Sequence, residues 1–211
     1  MRQHHRRRAP GRPPLTKSTS STLRIVYNAL DVKGWLARPP SAAEARPGRC
    51  PACEGASQPI GGPLGLHGHG LRERQLRGPL AGDGEPTIAL IGCRRYRCTG
   101  CGAIILVVPR GVAARRHYSQ AAISMALALW GLMAMPAAAV RERVCAWRIT
   151  GLAATGWSTL RRWARAARGG ACPTLREVAG RVAQIAVGRA PPGDRGAPLW
   201  AQAFAGGAAM A

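Results

Sequence analysis

Apolar and polar positions change period twice along this chain, and the changes divide it. From Thr87 to Arg97, and again from Ala103 to Val108, β-branched and aliphatic residues run in short stretches bounded by Gly and Pro, the pattern of strands. The segment 64–80 is punctuated in the same way and predicts one or two further strands. Residues 22–36 hold an apolar run compatible with a short strand or a short helix, and a Pro/Ala/Arg linker follows over 37–49.

From Ser119 the spacing becomes helical. Ser119 is placed to cap a helix whose apolar positions are Ile123, Leu127, Trp130 and Ala134. Pro136 suits the first position of a second helix, extending through Arg141 to Trp147. A third runs from about Trp157 to Arg168 and stops at Gly169-Gly170. Thr174 and Glu177 form a capping-box signature for a fourth helix, whose predicted inner face is Leu175, Val178, Val182 and Ile185. The Gly/Pro/Ala-rich tail from Ala190 reads as frayed apart from Trp200 and Phe204. The expected class is α+β: a small β-rich unit, then a bundle of three or four helices resembling a helix-turn-helix. The expected divisions are a disordered basic arm at 1–21, a short element and linker at 22–49, a zinc ribbon at 50–109, a helix-turn-helix at 117–170, and a final helix with a flexible tail at 171–211.

Charge sharpens this picture. The chain of 211 residues has 31 basic against 9 acidic side chains, a formal net charge of +22, and every basic residue except Lys17 and Lys33 is Arg. A GC-rich genome favours Arg over Lys but does not by itself remove acids. A field of this sign favours a polyanion, either nucleic acid or an anionic membrane. The nine carboxylates fall mostly beside Gly, Pro or Arg, and no two share a face where they could hold metal ions or act as an acid/base pair. With no nucleophile elbow, phosphate loop or metalloprotease motif present, a catalytic function is not expected.

Cysteine spacing supplies the candidate chemistry. Cys50-Pro-Ala-Cys53 and Cys98-Thr-Gly-Cys101 each place two thiols in a tight turn, and two such turns make a tetrahedral zinc site with four cysteine ligands. The N-terminal Arg run is not followed by an apolar stretch, so an export signal is not expected and the seven cysteines point to metal rather than disulfides. The 44 residues between Cys53 and Cys98 exceed a compact zinc spacing and require an inserted β arm. Cys93, Cys145 and Cys172 have no partner in this pattern. His67 and His69 could replace a thiolate or form a second site, or simply tip a glycine-flanked loop.

The third helix is two-sided. Trp157, Leu160, Trp163, Ala164 and Ala167 fill one arc, and Ser158, Arg161, Arg162, Arg165 and Arg168 the other. A solvated surface helix mixes Glu with Arg for i,i+4 pairing, and this one has no Glu. As a recognition helix it would turn Ser158, Thr159, Arg161 and Arg162 to bases and Arg165 and Arg168 to phosphates. Arg94, Arg95 and Arg97 beside the second Cys turn would add phosphate contacts.

These segments resemble the N-terminal recognition region of certain bacterial insertion-sequence transposases, a zinc ribbon followed by a helix-turn-helix. The resemblance rests on Cys50-Pro-Ala-Cys53, Leu66-His-Gly-His-Gly-Leu-Arg-Glu-Arg, Arg94-Arg-Tyr-Arg-Cys98-Thr-Gly-Cys101-Gly, Arg116-His-Tyr-Ser and Gly156-Trp-Ser-Thr-Leu-Arg-Arg-Trp163, across about residues 50–170. It implies a DNA-binding protein with one structural zinc ion, acting on double-stranded DNA such as transposon ends. The acidic triad of that family's catalytic domain has no counterpart here, so strand transfer is not expected. A transposase or a second copy is a conceivable partner, no small-molecule substrate is expected, and the expected location is cytoplasmic, at the nucleoid. Two other readings remain open at this level. One is a protein-interaction module of a transposition complex. The other is a membrane-associated zinc-ribbon protein anchored by the uncharged stretch 120–140, which an ordinary buried helix pair would explain equally well.

Overall fold

The computed structural model describes residues 23–151, 155–167 and 174–210. The N-terminal arm, Arg168 and Cys172 lie outside these residues, so the expectations placed on them have no structural counterpart here. Among the described residues the fold is α+β, with a four-stranded sheet and six α-helices.

The sheet is built from β1 (Arg24–Asp31), β2 (Leu66–Gly78), β3 (Thr87–Cys98) and β4 (Ile104–Arg110), in the order β1-β4-β3-β2. β2 to β4 form an antiparallel meander, and β1 adds parallel to β4, with Val26 opposite Val107. The run at 22–36 is therefore both of its alternatives in succession: strand β1, then helix α1 (Val32–Ala37), capped by Asp31, which accepts from the Gly34 N–H. Segment 64–80 holds one long strand, β2. A bulge between Gly68 and Leu71 sets His69 and Gly70 together against Arg95.

Side chains alternate across the sheet into two small cores. One face carries Leu66, Tyr96, Cys98, Ile105 and Val107, covered by Trp35, Ala45 and Cys50. The other carries Leu76, Ile91, Cys93, Leu106 and Val108. The covering chain at 35–42 is tied to β3 by three hydrogen bonds: Trp35 Nε1 to the Gly92 carbonyl (3.1 Å), Arg94 Nε to that of Pro40 (2.9 Å) and Tyr96 Oη to that of Ala42 (2.7 Å). The linker is thus an ordered cover. Ser41 and Glu44 cap one another reciprocally, each backbone N–H donating to the other's side chain, and Arg38 adds an ion pair at 2.9 Å.

The largest core is helical. It comprises α2 (Gln120–Gly131), α3 (Ala137–Val144), α4 (Ser158–Ala166), α5 (Leu175–Gly188) and α6 (Leu199–Ala209), with a short 3-10 turn at Pro192–Asp194. Ser119 caps α2 by accepting from the Ala122 N–H, and Thr174 caps α5 by accepting from the Glu177 N–H, as their spacing predicts. α2 is central, packed on α5 and α6, which also pack on each other. All its residues from Ala121 to Trp130 are buried except half-buried Ile123. A helix enclosed on every side needs no polar face, and this accounts for the uncharged stretch at 120–140. That stretch is divided: α2 ends at Gly131, Ala134 takes a left-handed φ of 54°, and Pro136 caps α3 from outside. Among the described residues no helix is long and apolar enough to cross a membrane, so a single anchoring span at 120–140 is not what forms.

Three further expectations are corrected. α3 stops at Val144, which leaves Trp147 in the following loop. The buried face of α5 is Val178, Ala179, Gly180, Ala183 and Ala186, whereas Ile185 is 55% exposed. The tail beyond Ala190 is no frayed end: α6 buries Ala203, Phe204, Gly206 and Gly207. Small residues win at these positions because the backbones nearly touch. A Cβ on Gly206 would overlap the Ala186 carbonyl oxygen, and one on Gly131 would overlap the backbone of Gly180.

Candidate metal centre and basic helix

Two turns of matching construction bring four thiols together. In the first, the Cys50 N–H donates to the Gly55 carbonyl (2.9 Å) and the Glu54 N–H to the Cys50 carbonyl (2.8 Å). In the second, the Cys98 N–H donates to the Ala103 carbonyl (3.0 Å) and the Gly102 N–H to the Cys98 carbonyl (2.9 Å). The residue after the second Cys is left-handed in both, Glu54 at φ 60° and Gly102 at φ 73°. The second turn joins β3 to β4, as their sequence spacing predicts. The first is docked beside it through Gly65, whose carbonyl accepts from the Thr99 N–H and whose own N–H donates to the Ser57 carbonyl.

The Sγ atoms of Cys50, Cys53, Cys98 and Cys101 all lie within 4.8 Å of one another. Across the turns, Cys50 and Cys101 are 3.7 Å apart, as are Cys53 and Cys98. Four thiolates placed tetrahedrally at a metal–sulfur distance of about 2.3 Å are separated by about 3.8 Å, close to the two separations across the turns, so the cluster could hold one ion. The first Cys of each turn is buried and the second is exposed, which seats the site at the rim of the sheet core. Taken as thiols, Cys98 and Cys53 are drawn in opposite directions. The Cys101 backbone N–H draws the Cys98 thiol down to about 7. The Gly55 N–H favours the Cys53 thiolate, but the thiols of Cys101, Cys50 and Cys98 outweigh it and push Cys53 up to about 12. A divalent cation at the centre removes that conflict by stabilising every thiolate at once.

The two histidines join no cluster of this kind. His67 lies on β2 and its Nε2 contacts the Leu64 carbonyl at 2.9 Å, while the four cysteines are the only group among the described residues that could hold a metal ion. Cys93 is a core residue whose thiol is pushed up to about 11 by burial, against the opposing pull of Arg74 and Arg72.

Aromatic packing fixes α4. Tyr118, Trp157 and Trp163 meet edge to face in a triangle with ring centroids 5.0–5.9 Å apart. Leu160 and Ala164 are buried beside them, so the apolar arc read from the sequence is the one that packs, except that Ala167 lies exposed at the C-cap. α4 lies chiefly against α5 and α2. It is linked to α3 through buried Arg141, whose Nη1 donates to the Gly156 carbonyl at 3.0 Å. On the outer side Ser158, Arg161, Arg162 and Arg165 are exposed and Thr159 is half-buried, its Oγ1 accepting from Arg162 at 3.0 Å.

The three arginines of β3 do not share a face. Arg94 alternates with Tyr96 and Cys98, and its Nε donates to the Pro40 carbonyl. Arg95 and Arg97 point to the opposite side, where Arg95 Nε donates to the His69 carbonyl at 3.1 Å and Arg97 is exposed.

Several residues that shape the site stand out only in the folded chain. Ser41 and Glu44 carry a legible capping-box spacing inside what looks, in the sequence, like a linker. In the sequence Arg141 is only a charge flanking an apolar stretch, and Tyr118 only one member of an Arg-His-Tyr-Ser segment. This chain matches no family model, no curated protein and no solved structure. The site therefore stands on its own geometry.

Proposed function

We propose that this is a non-catalytic, transposase-like DNA-binding protein, with one structural zinc ion in the four-cysteine cluster and α4 as the element that meets double-stranded DNA. Four soft thiolates in a tetrahedral arrangement select zinc over the hard, oxygen-seeking cations. The observation that carries the DNA reading is the one-sidedness of α4. Its aromatic face is locked into the core, and its outer face offers Arg161, Arg162 and Arg165 with no acid on the helix. An unopposed row of guanidiniums on a rigid element suits phosphate and base-edge recognition.

The test is a salt series with the zinc-loaded protein, using a random-sequence duplex pool beside duplexes carrying the inverted repeats that flank its own locus. Arg161→Ala combined with Arg165→Ala is expected to weaken binding at least tenfold and to lower the log–log salt slope by about 2, one unit for each phosphate no longer neutralised. Thermal unfolding should be unchanged, because both side chains are exposed. An unaltered affinity and slope in the double variant would remove α4 from the interface. A preference for the repeats would establish the transposon-end reading, and indifference to sequence would refute it.

A further inference from the structure

Beside the start of α4 lies a groove of about 620 Å³ whose lining includes Arg77, Trp147, Ile149, Ser158, Thr159 and Arg161. Its volume is that of a small-ligand site, and no acid lines it among the described residues. Trp147 is 47% exposed, whereas Trp35, Trp130, Trp157 and Trp163 are all buried. The Arg77 guanidinium sits over the Trp147 ring at 4.0 Å. One Arg77 nitrogen donates to Gln75 Oε1 at 2.9 Å, but its Nε is buried with no hydrogen-bond partner among the described residues. A second groove also reaches Trp147, lined by Glu85 and Glu142 together with Arg141 and Arg148, so the approach that carries arginine without any acid is the one beside α4.

The geometry points to a binding site for one unpaired nucleotide beside α4, with the base stacked on Trp147 and its phosphate held by Arg77 and Arg161. An aromatic surface accepts any base face, and an arginine next to it supplies charge and a second plane for stacking. Ile149, 40% exposed, provides apolar contact at the rim. The site rests on the DNA reading of α4 and deepens it: the protein holds DNA in which a base has left the stack, and not only the regular duplex.

The experiment compares the full zinc-loaded chain on two duplexes of one sequence, fully paired or carrying a single bulged nucleotide, with tryptophan emission as a second readout. The bulged duplex is expected to bind about tenfold more tightly and to quench emission, since stacking of one base on an aromatic ring is an effect of that order. Trp147→Ala should abolish both the preference and the quench while leaving affinity for the paired duplex within about twofold, and Trp147→Phe should keep the preference. Equal binding of the two duplexes by the wild-type chain, or a preference that survives Trp147→Ala, overturns the nucleotide site. Arg165→Ala, outside the groove, should weaken both duplexes equally. If the wild-type chain binds neither duplex, the DNA reading itself fails, a result distinct from binding both alike.

Discussion

Glu54 and Gly102 occupy the same place in the two cysteine turns, and both backbones are left-handed there. An L side chain in that conformation costs about 1–2 kcal/mol, and glycine avoids the penalty while losing some entropy on folding. Glu54→Gly should therefore stabilise the metal-loaded protein by about 0.5–1 kcal/mol, and Gly102→Ala should destabilise it by about 1 kcal/mol or more. Opposite signs in thermal unfolding would verify that the turns are equivalent, and equal signs would refute it. Glu44 is the other informative side chain. The Ser41 backbone N–H, Arg38 and the Ser41 hydroxyl hold its carboxyl down from 4.5 to about 2. A depressed carboxylate contributes stability that is complete above its unfolded value, near 4.5, and is lost as pH falls towards 2. Acid titration followed by amide chemical shifts should loosen residues 38–45 within that window in the wild type, with Glu44→Gln already loosened at neutral pH.

Helices α5 and α6 show how an element can be decided by what it must approach. Gly206 has no room for a Cβ against Ala186, whereas nothing lies within 4 Å of a Cβ added at Gly188. Gly206→Val should cost about 2–3 kcal/mol by overpacking. Gly188→Ala should be neutral or gain up to about 1 kcal/mol from helix propensity. Similar losses from the two changes would show that close approach is not what selects glycine at position 206. The same crowding explains the turned face of α5. Of the stripe Leu175, Val178, Val182 and Ile185, Val178 is buried and Leu175 and Val182 are half-buried against the core, but α2 and α6 come near enough to want Ala179, Gly180, Ala183 and Ala186 at its centre, and Ile185 is left outside. In α4 no such conflict arises, because large aromatics fill the space between Tyr118 and the helix. There the sequence period and the packed face agree.

At the scale of the molecule, a metal ion in the cysteine cluster would staple the cover at 35–65 to one end of the sheet, while the helical core stands on α2, α5 and α6. Removing the metal should expose amides in residues 38–66 and 96–104 to hydrogen exchange and leave α2, α5 and α6 protected. Full protection in the presence of a strong chelator would deny the cluster a structural role. The sequence by itself determined whatever is written within a few residues. It set the two Cys turns and their spacing, the caps at Ser119 and Thr174, strands β3 and β4, and the two sides of α4, because caps, turns and periodicity act over one or two turns of backbone. The meeting of the four thiols was legible as well, because two Cys-x-x-Cys turns point to one shared site across the 44 residues between them. Tertiary structure alone decided that 24–31 would join β4 as a parallel strand and that an Ala/Gly-rich tail would become a buried helix. Parallel pairing depends on partners distant in the chain. Small residues have almost no hydrophobic amplitude, and they become meaningful only when another backbone comes close enough to require them.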